Sequence, residues 1–114
     1  MKKILMIDDT KDPGYFRNYD TGNLYTKDEV EICRTGEGGI VKLKEKKWDV
    51  LLLDHDLGDG ITGMQVLNFL QVNKKAMPER IYLITFNTVS GPLMYDIIEK
   101  WHLEDLIKDH AWLG

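Results

Sequence analysis

The sequence predicts an α/β domain built on a parallel sheet whose strands are joined by helices. Three observations lead there. Short apolar runs of strand length, Lys3 to Ile7, Asp49 to Leu53 and Arg80 to Phe86, are separated by stretches whose apolar residues recur every three or four positions. Strands alternating with helices at this spacing imply crossover connections, which are right-handed between parallel strands. Two of the runs stop abruptly in carboxylates, Asp8 and Asp9 after the first and Asp54 after the second. Strand C-termini line the ligand crevice in such sheets.

The elements follow in order. Lys3-Ile-Leu-Met-Ile7 is the first strand. Residues 11 to 27 break the rhythm. Asp12-Pro13-Gly14 and Asp20-Thr21-Gly22-Asn23 are turn signals flanking the aromatics Tyr15, Phe16, Tyr19 and Tyr25. A long loop or small hairpin, packing its aromatics onto the sheet, is expected there. Glu29 to Cys33 alternates weakly and gives the second strand. Arg34-Thr-Gly-Glu-Gly-Gly39 reads as a turn before a short helix marked by Ile40, Leu43 and Lys47, with Lys42, Lys44, Lys46 and Lys47 on its wet face. Asp49 to Leu53 is the third strand. Met64, Leu67 and Leu70, with Val66 and Phe69 beside them, form a helix face that Pro78 ends. Arg80 to Phe86 is a fourth, buried strand. Pro92 suits a first helical turn, and Met94, Ile97, Ile98 and Trp101 give that helix its stripe. Glu104 to Lys108 supplies a last strand.

Composition sets the class. The 114 residues suffice for one domain, residues 1–114, with a proper core. A formal net charge of −4 argues against an extended nucleic-acid surface or membrane adhesion, which need an excess of Lys and Arg, though not against one phosphate group in a small site. The single cysteine, Cys33, allows no internal disulfide and reads as core filler. No signal peptide or bilayer-length apolar run is visible, so a cytoplasmic location is expected.

Carboxylates gathered at strand ends repel one another and must hold a cation, trap a proton or stay apart. A hard divalent cation beside a phosphate resolves the conflict. Taken singly, Asp8 and Asp9 read as caps of the turn after the first strand, Thr85 as a β-branched strand residue, His55 as a loop histidine and Lys108 as a surface lysine. Asp59 reads as a loop former, and His102 and His110 as surface or packing residues.

An acidic pair after strand one, an Asp after strand three, a hydroxyl after strand four and a Lys after strand five resemble the response-regulator receiver domain. Here those are Asp8 and Asp9, Asp54, Thr85 and Lys108. A closer resemblance, over roughly residues 1 to 101, is to the cyclic-phosphate processing receiver family. Its strand-one motif Leu-Asp-Asp-x-Arg-x-Pro stands as Ile7-Asp8-Asp9-Thr10-Lys11-Asp12-Pro13, with Lys11 replacing Arg. Its strand-three motif is intact as Leu53-Asp54-His55-Asp56-Leu57-Gly58. Its strand-four motif His-Ser-x-Asn-Pro-Val-Gly is eroded to Ile84-Thr85-Phe86-Asn87-Thr88-Val89-Ser90.

The resemblance implies a receiver-like, flavodoxin-like three-layer sandwich with a five-stranded parallel sheet of order 2-1-3-4-5. The first helix is replaced by a loop, and the fifth is missing or truncated. It also implies processing of cyclic phosphate ends, such as 2′,3′-cyclic phosphates of RNA or nucleotides. Mg²⁺ or Mn²⁺ would sit on Asp8, Asp9, Asp54 and Asp56. Asp54, His55 and Thr85 are the implied catalytic set, with Asp54 as metal ligand or nucleophile, Thr85 on a phosphoryl oxygen and His55 as proton donor to the departing ribose oxygen. Lys11, Thr85, Asn87 and Lys108 are the implied phosphate contacts. The expected partner is a phosphate-bearing small molecule or an RNA end. The alternative is a stand-alone phosphoacceptor or a phosphate-binding module without turnover. A sheet face lacking its first and fifth helices would expose apolar area. The aromatics of 11 to 27 and Trp112-Leu113 are expected to cover it, a homodimer through that face being the further expectation.

Overall fold

The computed structural model describes residues 2–18 and 20–113. Wholly apolar four-residue runs become β1 (Ile4–Ile7) and β3 (Val50–Leu53), runs with one charged residue become β2 (Val30–Cys33) and β4 (Arg80–Leu83), and a more polar run becomes β5 (Asp109–Trp112). All neighbours pair in parallel, in the order β2-β1-β3-β4-β5. β1 and β3 are buried on both faces, so Ile-Leu-Met-Ile and Val-Leu-Leu-Leu are continuous rather than alternating. The two-residue period still sorts their side chains. Leu5, Ile7, Leu51, Leu53, Ile81 and Leu83 pack under helices α1 (Gly36–Glu45), α2 (Gly63–Val72) and α3 (Ser90–Leu103). Ile4, Met6, Val50, Leu52, Tyr82 and Ile84 face the opposite layer.

That opposite layer is the segment after β1, which holds one 3-10 turn (Pro13–Tyr15) in place of a helix. An antiparallel bridge between Arg17 and Leu24 makes it a small hairpin. Phe16 and Tyr25, each 3% exposed, lie in the same cluster as Met6, Leu52, Tyr82 and Ile84. Asp20 anchors the hairpin through Arg80 (2.9 Å) and Lys2 (3.0 Å). Tyr15 departs from expectation: it is largely exposed. Tyr19 lies outside the described residues.

Three further expectations are corrected. The glycines after Arg34 are helical, not a turn: Thr35 caps α1 by accepting from the Gly38 N–H at 3.0 Å. A Cβ at Gly39 would strike Ile7 and one at Gly36 would strike Ile61, so small residues let α1 close onto the sheet. The last strand is Asp109–Trp112, not Glu104 to Lys108. Residues 104–107 instead finish the turn after α3, with Asp105 left-handed at φ 59° and Ile107 buried. Finally, alternation along β5 turns Trp112 toward the helices, where it stacks near Tyr95, and leaves Leu113 to the hairpin face.

Candidate functional site

The pairing register carries the acidic residues together. Ile7 pairs with Leu53, and the next residues on both strands are Asp8 and Asp54. Asp8 donates its backbone N–H to Cys33 O, and Asp54 donates to Ile7 O, so both side chains leave from the last rungs of the sheet. Asp8 is 0% and Asp54 3% exposed. With the half-buried Asp9 they offer one ligand oxygen each within 4.8 Å of one another. α2 is packed tightly behind them: a Cβ at Gly63 would collide with the Asp54 carbonyl.

Lys11 sets the charge balance. Its Nζ lies 3.3 Å from Asp8 Oδ2 and 3.5 Å from Asp54 Oδ2. Burial works to lower the Lys11 pKa, but Asp54 and Asp8 outweigh it and the net shift is upward. Burial, then the nearby Asp8 charge, pushes the Asp54 carboxyl above its ordinary range. The His55 N–H (2.8 Å), the Lys11 ammonium and the Thr85 hydroxyl pull it back only in part. Asp8 Oδ1 accepts from the N–H groups of Thr10 (2.9 Å) and Lys11 (2.8 Å), while its buried Oδ2 has no directed hydrogen bond. Arg34 braces this turn by donating to Lys11 O (2.6 Å), Asp8 O (3.3 Å) and the Asp12 carboxylate (2.7 Å).

Thr85 and Asn87 close the other side. Thr85 is fully buried and its Oγ1 accepts from the Asn87 N–H at 3.0 Å. Asn87 Oδ1 accepts from the N–H groups of Val89 (2.9 Å) and Ser90 (2.8 Å), fixing the turn into α3. Trp112 Nε1 donates to Thr85 O at 2.8 Å, from the helix side of the sheet rather than the hairpin face it is expected to cover. Phe86, expected inside the fourth strand, lies past its end and is 61% exposed. Its ring centroid is 4.7 Å from Lys11 Nζ.

His55 Nδ1 lies 3.0 Å from Asp56 Oδ1 and 3.5 Å from Asn87 Nδ2. The shorter contact is a hydrogen bond when Nδ1 carries the proton, which leaves Nε2 to exchange protons at the rim. Asp56 is therefore corrected from metal ligand to partner of His55: its side chain is 69% exposed and outside the acidic group. Asp59 is structural, its carboxylate accepting from the N–H groups of Gly36 and Glu37 (both 3.1 Å) at the start of α1. Lys108 is also corrected. It precedes β5, at the N-terminal edge of the sheet, and pairs with Glu79 at 3.4 Å. Lys11, reaching in from the β1 end, is the lysine of the acidic site.

The donor set suits a hard cation. Three carboxylates, one with a buried oxygen lacking a directed partner, match the oxygen ligands Mg²⁺ and Mn²⁺ take. Concavities of about 440 and 590 Å³ lie elsewhere, lined by α1 and α2 residues or by the N-terminal ends of β1 and β2. Charge, not cavity size, marks this site.

Solved structures share the fold. A CheY-like receiver domain protein from Methanospirillum hungatei JF-1 superposes with TM-score 0.57 at 17% identity, covering 98% of this chain and 81% of that one. The response regulator domain of Thermotoga maritima CheB gives 0.57 at 17%, covering 96% and 75%. A fusion carrying amino acids 181–211 of the yeast Spc42 coiled coil gives 0.57 at 23%, covering 97% of this chain but only 64% of that one. None of the curated proteins is a significant match. Among the described residues no helix is long and apolar enough to cross a membrane. With residues 3–100 matching its family model, the chain belongs to the cyclic-phosphate processing receiver domain family.

Proposed function

We propose that the acidic site processes cyclic phosphate ends, by hydrolysis or phosphoryl transfer, with a divalent metal held by Asp8, Asp9 and Asp54. The observation that carries this reading is the buried acidic group with Lys11 against it and Thr85, Asn87 and His55 around it. When bound, Mg²⁺ or Mn²⁺ offsets charge on the phosphoryl oxygens. Lys11 binds a phosphoryl oxygen and Thr85 donates to another. A nucleophile, the Asp54 carboxylate or a water that gives its proton to that carboxylate, forms a bond to phosphorus. One ribose oxygen leaves with the electrons of its P–O bond and takes a proton from Nε2 of His55 in its doubly protonated, imidazolium form. Asp56, accepting from Nδ1–H, orients that imidazolium and offsets its charge.

One observation favours a second reading. The position where the strand-four motif carries His is Ile84, 0% exposed within the apolar cluster under the hairpin. A site without that imidazole is also suited to accepting a phosphoryl group on Asp54 without turning over a cyclic ester.

The test is hydrolysis of 2′,3′-cyclic nucleotides and short oligonucleotides ending in that group, with Mg²⁺, Mn²⁺ or EDTA, for wild type and Asp54→Asn. Metal-dependent turnover that Asp54→Asn abolishes is expected. No turnover, together with metal-dependent labelling by acetyl phosphate, overturns the enzyme in favour of the phosphoacceptor.

A further inference from the structure

The Phe86 ring lies against the ammonium of the site. The five residues before it, Ile81 to Thr85, are buried at 0–1% exposure, whereas Phe86 is 61% exposed. Isolated exposed apolar residues are common and need no explanation. This one is different because its ring is held. Lys11 Nζ sits 4.7 Å from its centroid. Phe16, itself buried, lies at 6.4 Å and 40° to it. The backbone on its C-terminal side is fixed by Asn87, through the N–H of Asn87 onto Thr85 Oγ1 and those of Val89 and Ser90 onto Asn87 Oδ1. Ordering an aromatic platform in advance lowers the entropic cost of stacking on it.

The placement decides what would stack there. The same ammonium is 3.5 Å from Asp54 Oδ2, so one Lys11 touches both the ring and the acidic site. A phosphate engaged by Lys11 and the acidic group would therefore have its next substituent within reach of the ring. We infer that Phe86 is a stacking platform for a nucleobase, so that the ligand of the acidic site carries an aromatic base joined to its phosphate through one sugar. This rests on the proposal that the site takes a cyclic phosphate, and it names what is attached. Base–aromatic stacking tolerates any base because each has a π-face. Position 86 is the unspecified residue of the strand-four motif, so the stacking ring is this chain's own feature, favouring a base over none without choosing among bases.

The test is titration calorimetry with Mg²⁺, using 2′,3′-cyclic AMP, 2′,3′-cyclic CMP and the base-free ester glycerol 1,2-cyclic phosphate as probes. Wild type, Phe86→Ala and Phe86→Trp are compared by the ratio of nucleotide to base-free affinity, which cancels any general effect of the substitution on Lys11. Wild type is expected to prefer the nucleotides by roughly tenfold or more, Phe86→Ala to bring the ratio near one, and Phe86→Trp to retain it. Equal affinity of wild type for all three probes, or a preference that survives in Phe86→Ala, overturns the stacking role while leaving the phosphate site standing. Absence of binding by any probe overturns both. Nucleotide preference without turnover supports the platform and removes only the hydrolytic reading. A 3′-terminal cyclic phosphate on a short RNA, titrated in parallel, separates an RNA end from a free nucleotide as the source of the base.

Discussion

Lys11 neutralises two carboxylates that burial would otherwise set against each other. Removing it leaves Asp8 Oδ2 without its cation and lets Asp54 rise further. Lys11 keeps some solvent contact, so the cost lies below that of breaking a wholly buried pair. Lys11→Gln is expected to lose about 1–3 kcal/mol at pH 7 in EDTA by urea unfolding. The pH dependence follows from the shifts. Asp54 binds its proton more tightly folded than unfolded, so through this group stability rises as pH falls from neutral through its folded pKa, and the gain is complete below about pH 4. Asp12, held down first by its Arg34 hydrogen bond, and Asp59, held down first by the Glu37 N–H, act oppositely: their contribution is present above about pH 4 and is lost below it. The deficit of Lys11→Gln is therefore largest at neutral pH and shrinks toward pH 5. A deficit constant between pH 7 and 5 would mean that Asp54 is not the group Lys11 restrains.

At the scale of elements, the hairpin after β1 does the work of a helix with two aromatics. Phe16 is 3% exposed and packs in the cluster that includes Met6, Leu52 and Ile84, and its ring also backs Phe86. Phe16→Ala is expected to cost about 3–5 kcal/mol, measured by chemical denaturation. It also uncovers part of the sheet face, so sedimentation should show more self-association than wild type. Full stability in the variant would mean that the hairpin is not what seals this face. The same face is where a second copy of the chain is proposed to meet the first, and the two samples run side by side test that as well. β5 contributes differently. Its residues are all half-exposed, yet its Trp112 anchors Thr85 from behind.

At the scale of the molecule, a parallel sheet has two unlike ends. Asp8, Asp54 and Thr85 follow the C-termini of β1, β3 and β4, whereas Lys108 and its partner Glu79 precede β5 and β4. Lys108→Ala is thus expected to leave the Mg²⁺-induced rise in thermal midpoint unchanged, and to alter stability by no more than the about 0–1 kcal/mol of an exposed ion pair. Asp54→Asn in the same assay should abolish the Mg²⁺ response. A Lys108→Ala protein that also loses the response would place this lysine in the site after all.

The strands of a parallel sheet and the acidic group were legible in the residues, because an apolar run that stops in carboxylates marks a strand and its crevice end, whereas the strand order followed from the family resemblance. Asp8, Asp9, Asp54, His55 and Thr85 could be assembled from those endings and from the intact motif around Asp54. Three assignments depended on three-dimensional placement. A half-exposed edge strand has almost no hydrophobic signal, so the more apolar Leu106-Ile107 drew the last strand several residues too early and carried Lys108 to the wrong end of the sheet. Asp56 followed Asp54 closely enough to look like a second ligand, but it faces His55. Phe86 read as strand, though β4 ends at Leu83 and leaves it at the rim. By itself the sequence determined that these carboxylates gather at one edge of the sheet, since parallel strands all end on the same side. Only the tertiary structure decided which cation balances them and which ring stands beside them, because long side chains and strand-end turns are placed by what packs around them rather than by spacing along the chain.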